Sequence, residues 1–162
     1  MARTAAELCI NACFTKAHAL SLVESSSVVE QILALLATAQ DEMLRLATTL
    51  FLNVLNNCDR ETTQKLVDNH RALPPLVTAL RRAIRMADKG IIFDCLRSVA
   101  RVLMVGDADA EHDDRGINPY IEPLDFQLGA FELVEPLQNS ASVEMAAEAR
   151  FVYSYFIPND CW

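Results

Sequence analysis

Glycine and aromatic residues are scarce in this chain: four glycines in 162 residues, a single tryptophan, and 7% aromatics in all. Sheets draw on aromatic and β-branched side chains and on glycine-bearing turns. Their shortage, beside abundant alanine and leucine, favours helix over strand. No run alternates with period two over strand length, so no sheet is predicted. No stretch reaches the ~18 uninterrupted apolar residues of a membrane span. The opening MARTAAELCINACF has neither the long apolar run nor the cleavage site of a secretory signal, and a soluble intracellular protein is expected. The five cysteines, Cys9, Cys13, Cys58, Cys95 and Cys161, form no C-x-x-C pair and are odd in number. That suits neither a thiolate metal cluster nor a disulfide framework. Cys9 and Cys13, one turn apart in an apolar stretch, read as small buried hydrophobes in a reducing compartment. Positive charge is also in deficit. The net charge of −8 excludes general nucleic-acid binding, which needs a cationic surface, but permits a basic partner.

Motifs of chemistry are missing as well. There is no glycine-rich phosphate loop, no H-E-x-x-H and no G-x-S-x-G. His18 has no indicated nucleophile with an orienting acid beside it. His112, Asp113 and Asp114, near Asp107 and Asp109, lack the glycine position and final glutamate of a calcium loop and read as a solvated acidic linker. No enzymatic activity, metal or cofactor is expected.

What the chain does have is helical patterning, clearest from Glu42 to Leu80. Leu44, Ala47, Leu50, Phe51, Val54 and Leu55 recur at three- and four-residue spacing and lay an apolar stripe along one helix face. Asn56 and Asn57 leave helical geometry at little cost, and Asp59 offers a side-chain oxygen to cap the next helix. Leu73 before Pro74 and Pro75 disfavours helix, while the prolines suit the first turn of a new one.

Around this stretch the chain reads as a series of helices. Ala5 to Val23 is nearly all apolar and must be covered on more than one side. Glu24 to Ser27 is a break whose serines are expected to cap a helix over Val28 to Ala39. The helix from Pro75 to about Ala87 carries Arg81, Arg82 and Arg85 on one side, expected to face outward toward acidic neighbours or a partner. Asp88 to Gly90 makes a turn, and Ile91 to Val105 a long helix. Gly106 to Gly116 is the acidic loop, and Ile117 to Leu128 an irregular piece with Pro119 and Pro123. Ala130 to Gln138 is shortened or kinked by Pro136. Ser142 to Ile157 is the last long helix, ended by Pro158, Asn159 and Asp160. Long helices fall about 35 to 50 residues apart, the spacing of armadillo and HEAT units. One all-α domain over residues 1–162 is predicted, with units of about 1–23 (partial), 24–58, 59–106 and 107–162.

These segments resemble the C-terminal armadillo repeats of importin-α, the adaptor that carries nuclear-localisation peptides. NACFTKAHAL, Asn11 to Leu20, is similar to that family's NACWTxSNxx helix. RETTQKLVDNHRALPPLVTALRRA, Arg60 to Ala83, resembles its E-Q-I-Q-x-V-I-D-x-x-x-I-P-P-L-V-x-L-L pattern. MADKGIIFDCLRSVARVLMV, Met86 to Val105, resembles a third helix, and GDADAEHDDRGIN follows where the family has a glycine-and-acid linker. GAFELVEPLQNSASVEMAAEARFVYSYF, Gly129 to Phe156, is similar to the terminal repeat's I-E-x-L-Q-N segment and tyrosine-rich closing helix.

The resemblance implies a right-handed α-solenoid of about four repeats, the first partial, in which third helices line a concave groove. In the family a Trp and an Asn four residues later share one helix face, the ring forming a slot for lysine stems and the amide clamping the peptide backbone. Carried over by position, Phe14 stands for the first Trp and His18 for its Asn. Thr49 stands for the second Trp, with Asn53 retained, and Leu46 replaces an acid often found three before it. Asp94 precedes Ser98 in the third. A desolvated cation–π contact is worth up to ~2 kcal/mol, so each lost Trp slot lowers affinity on the order of tenfold. The resemblance implies a basic peptide or protein cargo, an exportin-like carrier at the last repeat, and a cytoplasmic and nuclear location. The alternative is a degenerate armadillo scaffold without import activity. Starting mid-unit, the 5–23 helix is also expected to be covered by a second copy or an N-terminal partner.

Overall fold

The computed structural model describes residues 15–39, 41–112 and 116–157, and over these the chain is all-α, with no strand. The helices are α1 (Lys16–Glu24), α2 (Ser26–Thr38), α3 (Asp41–Asn57), α4 (Arg60–Asp68), α5 (Leu73–Met86) and α6 (Lys89–His112). A π-helical turn follows at Pro123–Gln127, then α7 (Ala130–Val134), a 3-10 turn (Glu135–Asn139) and α8 (Val143–Ser154). Of the 5–23 helix expected from the sequence, residues 5–14 lie outside the described residues, as do Cys9, Cys13 and Cys161.

The packing falls into two ranks. Helices α1, α3, α6 and α8 each pack on the next, and α2, α5 and α7 do the same. Cross-contacts pair α2 with α3, α5 with α6 and α7 with α8, while α4 lies against α1 and α6. One core runs between the ranks, through Leu36, Leu55, Leu80, Leu96, Leu103 and Leu124, none more than marginally exposed. The periodicity of the Glu42–Leu80 stretch explains this: Leu44, Ala47, Leu50, Phe51, Val54 and Leu55 are all buried.

Local chemistry sets the helix ends. Pro74 and Pro75 occupy the first turn of α5, which begins at Leu73 rather than at Pro75 as expected. Asp59 caps α4, its Oδ1 accepting from the Thr62 amide at 3.1 Å and the Thr62 hydroxyl at 2.7 Å. Its Oδ2 pairs with Lys16 Nζ at 3.1 Å, which ties α1 to the start of α4. These contacts, the Thr62 hydroxyl foremost, hold the carboxyl down at about 2, against an ordinary 3.8. A depressed folded-state pKa means that this contribution is complete above the unfolded value and is lost as pH falls through the folded one. Asp59→Ala is therefore expected to lower the melting temperature near neutral pH, with the gap to the parent closing between 3.8 and about 2. Thermal melts followed by circular dichroism across that range check it, and a gap that ignores pH contradicts it.

Three expectations are corrected. Ser25 stands between α1 and α2 without a side-chain capping bond; its amide instead closes α1 on Ser21 and Leu22. One residue serves both ends where the chain turns by 91°. Arg81 and Arg82 form no ion pair with an acid among the described residues. Arg81 donates to the Leu128 carbonyl at 2.9 Å and Arg82 to the Ala37 carbonyl at 3.1 Å. Both acceptors lie at helical C-terminal ends, where unsatisfied carbonyls and the helix dipole favour a cation.

The third correction concerns the acidic stretch. α6 does not stop at Val105 but runs to His112, and the boundary expected at 106/107 falls inside it. Gly106 is buried in the helix, and a Cβ there would meet Asn118 Cγ at 2.6 Å and Tyr120 Cδ2 at 2.8 Å. Asn118 uses that close approach to donate to the Leu103 carbonyl at 2.7 Å and Asp107 Oδ1 at 2.8 Å, while its own Oδ1 accepts from the Tyr120 amide at 3.0 Å. Asp109 is buried and receives Arg60 Nε and Gln64 Nε2, the latter at 2.5 Å, both from α4. Asp107 and Asp109 are thus structural clamps rather than part of a solvated linker. Asp113 and Asp114 lie outside the described residues.

Candidate functional site

The adjacent helices α3 and α6 are each buried except for one narrow stripe. On α3 the stripe runs through Glu42, Arg45, Thr49, Asn53 and Asn56; on α6 it runs through Asp94, Arg97, Arg101, Met104 and Ala108. Spacings of three and four keep each set on one helix face. One side-chain bond, Thr49 to Asp94, joins the stripes, and two more hold their arginines to residues just outside the helices. Arg45 Nη2 meets Asp88 Oδ2 at 2.5 Å, Thr49 Oγ1 donates to Asp94 Oδ2 at 2.8 Å, and Arg101 Nη2 reaches the Cys58 carbonyl at 3.4 Å.

Of the residues expected to bind a peptide, Thr49, Asn53 and Asp94 share this wall. Thr49 is engaged by Asp94 rather than open as a slot. Asn53 is half-buried; its carbonyl accepts from Asn57 Nδ2 at 2.9 Å, and its amide makes no hydrogen bond to a described residue. Ser98 is corrected: it is 1% exposed, and its hydroxyl donates to the Asp94 carbonyl at 2.8 Å, so it offers nothing to a bound chain. The exposed stripe passes from Asp94 through Arg97 to Arg101, and Ser98, beside Arg97, falls on its buried side. His18 is exposed and joined through Nδ1 to Thr15 Oγ1 at 2.7 Å, with Lys16 beside it held at the start of α4. Phe14 lies outside the described residues.

Electrostatically the wall is mixed. Burial raises the Asp94 carboxyl above its ordinary value, against the Thr49 hydrogen bond and the cations Arg97 and Arg45. Arg97 is exposed and lies 5.8 Å from the Phe93 ring centroid. Arg101 Nε is buried without a hydrogen-bond partner. Sequence reasoning missed these arginines because it followed the family's Trp and Asn positions. The three-and-four spacing of Arg97, Arg101 and Met104 on one otherwise apolar helix was the available signal.

Beyond Met104 the wall opens into a cleft of about 430 Å³ lined by Asp107, Asn118, Ile117, Ile121, Phe151 and Tyr155, among others. Burial, reinforced by the hydrogen bond to Asp107, pushes the Tyr155 hydroxyl up to about 12. Phe151, 43% exposed, stacks edge-on against Tyr155 with ring centroids 5.5 Å apart. Among the described residues no group of three or more His, Cys, Asp or Glu is placed to hold a metal, and no single helix is long and apolar enough to cross a membrane. Cys58 and Cys95 are buried thiols, with Cys95 pushed up by burial.

No protein-family model matches the chain, and no curated protein matches its sequence significantly.

Proposed function

We propose that this chain is an importin-α-like armadillo array of about four repeats, the first partial. It binds extended peptide segments of transport cargo or carriers along the wall formed by α3 and α6. The observation that carries the reading is the pair of ranked helices whose exposed stripes lie side by side. A wall of that kind offers a bound chain polar side chains for its backbone and shallow gaps for its side chains. Asn53 supplies the backbone clamp. Asp94 supplies the one carboxylate of the α6 stripe that a lysine would seek. On this reading the last repeat meets an exportin-like carrier, the protein moves between cytoplasm and nucleus, and no catalysis is involved.

A second reading, a degenerate scaffold without import activity, draws on one specific observation. Asp94 sits between Arg45 and Arg97, with its hydroxyl partner already supplied by Thr49. Titration with a labelled lysine-rich localisation peptide at low and physiological salt separates the two. Salt-sensitive binding that falls about fivefold or more in Asn53→Ala supports the adaptor. Absence of binding even at low salt favours the scaffold.

A further inference from the structure

The exposed stripe of α6 carries two arginines, Arg97 and Arg101, and this points to a second ligand. We infer that the α6–α8 half of the wall binds an extended peptide segment of another protein. That segment carries adjacent acidic residues and, three to five positions away, a large apolar side chain. The inference rests on the reading of these helices as a binding wall but assigns it an occupant of opposite charge.

Two arginines lie one turn apart here, Arg97 exposed and Arg101 half-buried. Neither is paired with a carboxylate within ion-pair distance among the described residues, where the ion pairs are those of Lys16, Arg45, Arg60 and Lys65. Arg101 makes one long bond, 3.4 Å to a carbonyl, and leaves Nε without an acceptor. A guanidinium offers five donors in a planar fork suited to carboxylates, and that of the exposed Arg97 is the one a ligand reaches first. Asp94, the acid on the same stripe, is already bonded to Thr49. The overall charge of −8 does not decide the matter. At physiological salt the screening length is about 8 Å, so the charges within a turn or two of the ligand govern its contacts.

The apolar end follows along the same stripe. Met104 is 47% exposed, and the cleft beyond it carries Phe151, Ile117 and Ile121. From Arg97 to Met104 the helix rises roughly 10 Å, and to Asp107 at the cleft edge roughly 15 Å. An extended chain covers those distances in about three and about five residues respectively. The stripe thus measures the spacing between the acidic and apolar residues of its ligand.

The test is fluorescence anisotropy with a fluorescein-labelled decapeptide in which two glutamates precede a leucine–phenylalanine pair by four positions. One control has lysines for the glutamates, and another has serines for the apolar pair. The glutamate peptide is expected to bind, more tightly at low salt, with each control weaker. Arg97→Gln is expected to weaken it by about five- to tenfold, the size of one charge-assisted contact. Arg97 is exposed, lies over the Phe93 ring and attracts Asp94 without an ion pair among the described residues, so this variant is expected to stay close to the parent's melting curve, which is measured alongside. Arg101→Gln and Met104→Gln are read the same way. Equal or tighter binding of the lysine peptide, an unchanged affinity in Arg97→Gln, or no anisotropy change with the glutamate peptide at low salt overturns the inference. A lysine peptide that binds through Asn53 while the glutamate peptide does not would sink this inference and leave the proposed function standing.

Discussion

Gly106→Ala is expected to destabilise the chain by about 2–4 kcal/mol, read as a lowered urea midpoint at unchanged slope. Helix propensity alone gives the opposite sign, since alanine inside a helix gains up to about 1 kcal/mol over glycine. Packing wins because the new methyl falls on the Asn118 amide, with Tyr120 Cδ2 at 2.8 Å behind it. Neither neighbour can yield freely. Asn118 is buried and holds three hydrogen bonds, one of them to the Asp107 carboxylate, and Tyr120 is buried beside it. Moving the amide leaves buried donors and acceptors without partners, at about 1–3 kcal/mol each. Had Gly106 opened a solvated loop, the same change would be neutral or mildly stabilising. The sign of the shift therefore decides between the two structures.

Asp109→Ala is expected to lose about 2–4 kcal/mol, measured by the same titration, because it strips the partner from Arg60 and Gln64 together. The Asp109 side chain is 8% exposed and that of Arg60 38%, so the arginine recovers part of its hydration and the loss stays below that of a fully buried pair. Asp109→Asn is expected to fall between parent and alanine, since it retains an acceptor for Gln64 but not the charge for Arg60. A surface carboxylate in a linker would show no more than a few tenths of a kcal/mol in either variant.

Much of the helical architecture was legible because its signals are local. The apolar spacing from Leu44 to Leu55 marked the buried face of α3. Asp59 announced a cap, and the Pro74–Pro75 pair announced the start of α5. Pro136 was read as shortening its helix, and α7 does give way to a 3-10 turn at Glu135. The errors arose where a residue's partner lies far along the chain. Gly106, Asp107 and Asp109 look like a linker until Asn118, 11 residues from Asp107, and Arg60, 49 residues from Asp109, are brought against them. Arg81 and Arg82 look like surface charge until two carbonyls, each about 45 residues distant, arrive beside them. The wall was half legible for the same reason. Position by position the likeness led to Thr49, Asn53 and Asp94, but Ser98 turns inward, and Arg97 and Arg101 of α6 correspond to none of the motif positions.

The length of α6 has a bearing on how the molecule opens. It is a helix of 24 residues in contact with α3, α4, α5 and α8, and all but a thin strip of its surface is covered. Helices at the edge of the packing open at little cost, while the one covered on most sides opens last. Amide protons of Leu96, Val99 and Leu103 would then exchange with solvent only on global unfolding, whereas those of α1 and α8 would exchange through local opening. The middle of the stack acts as its keel.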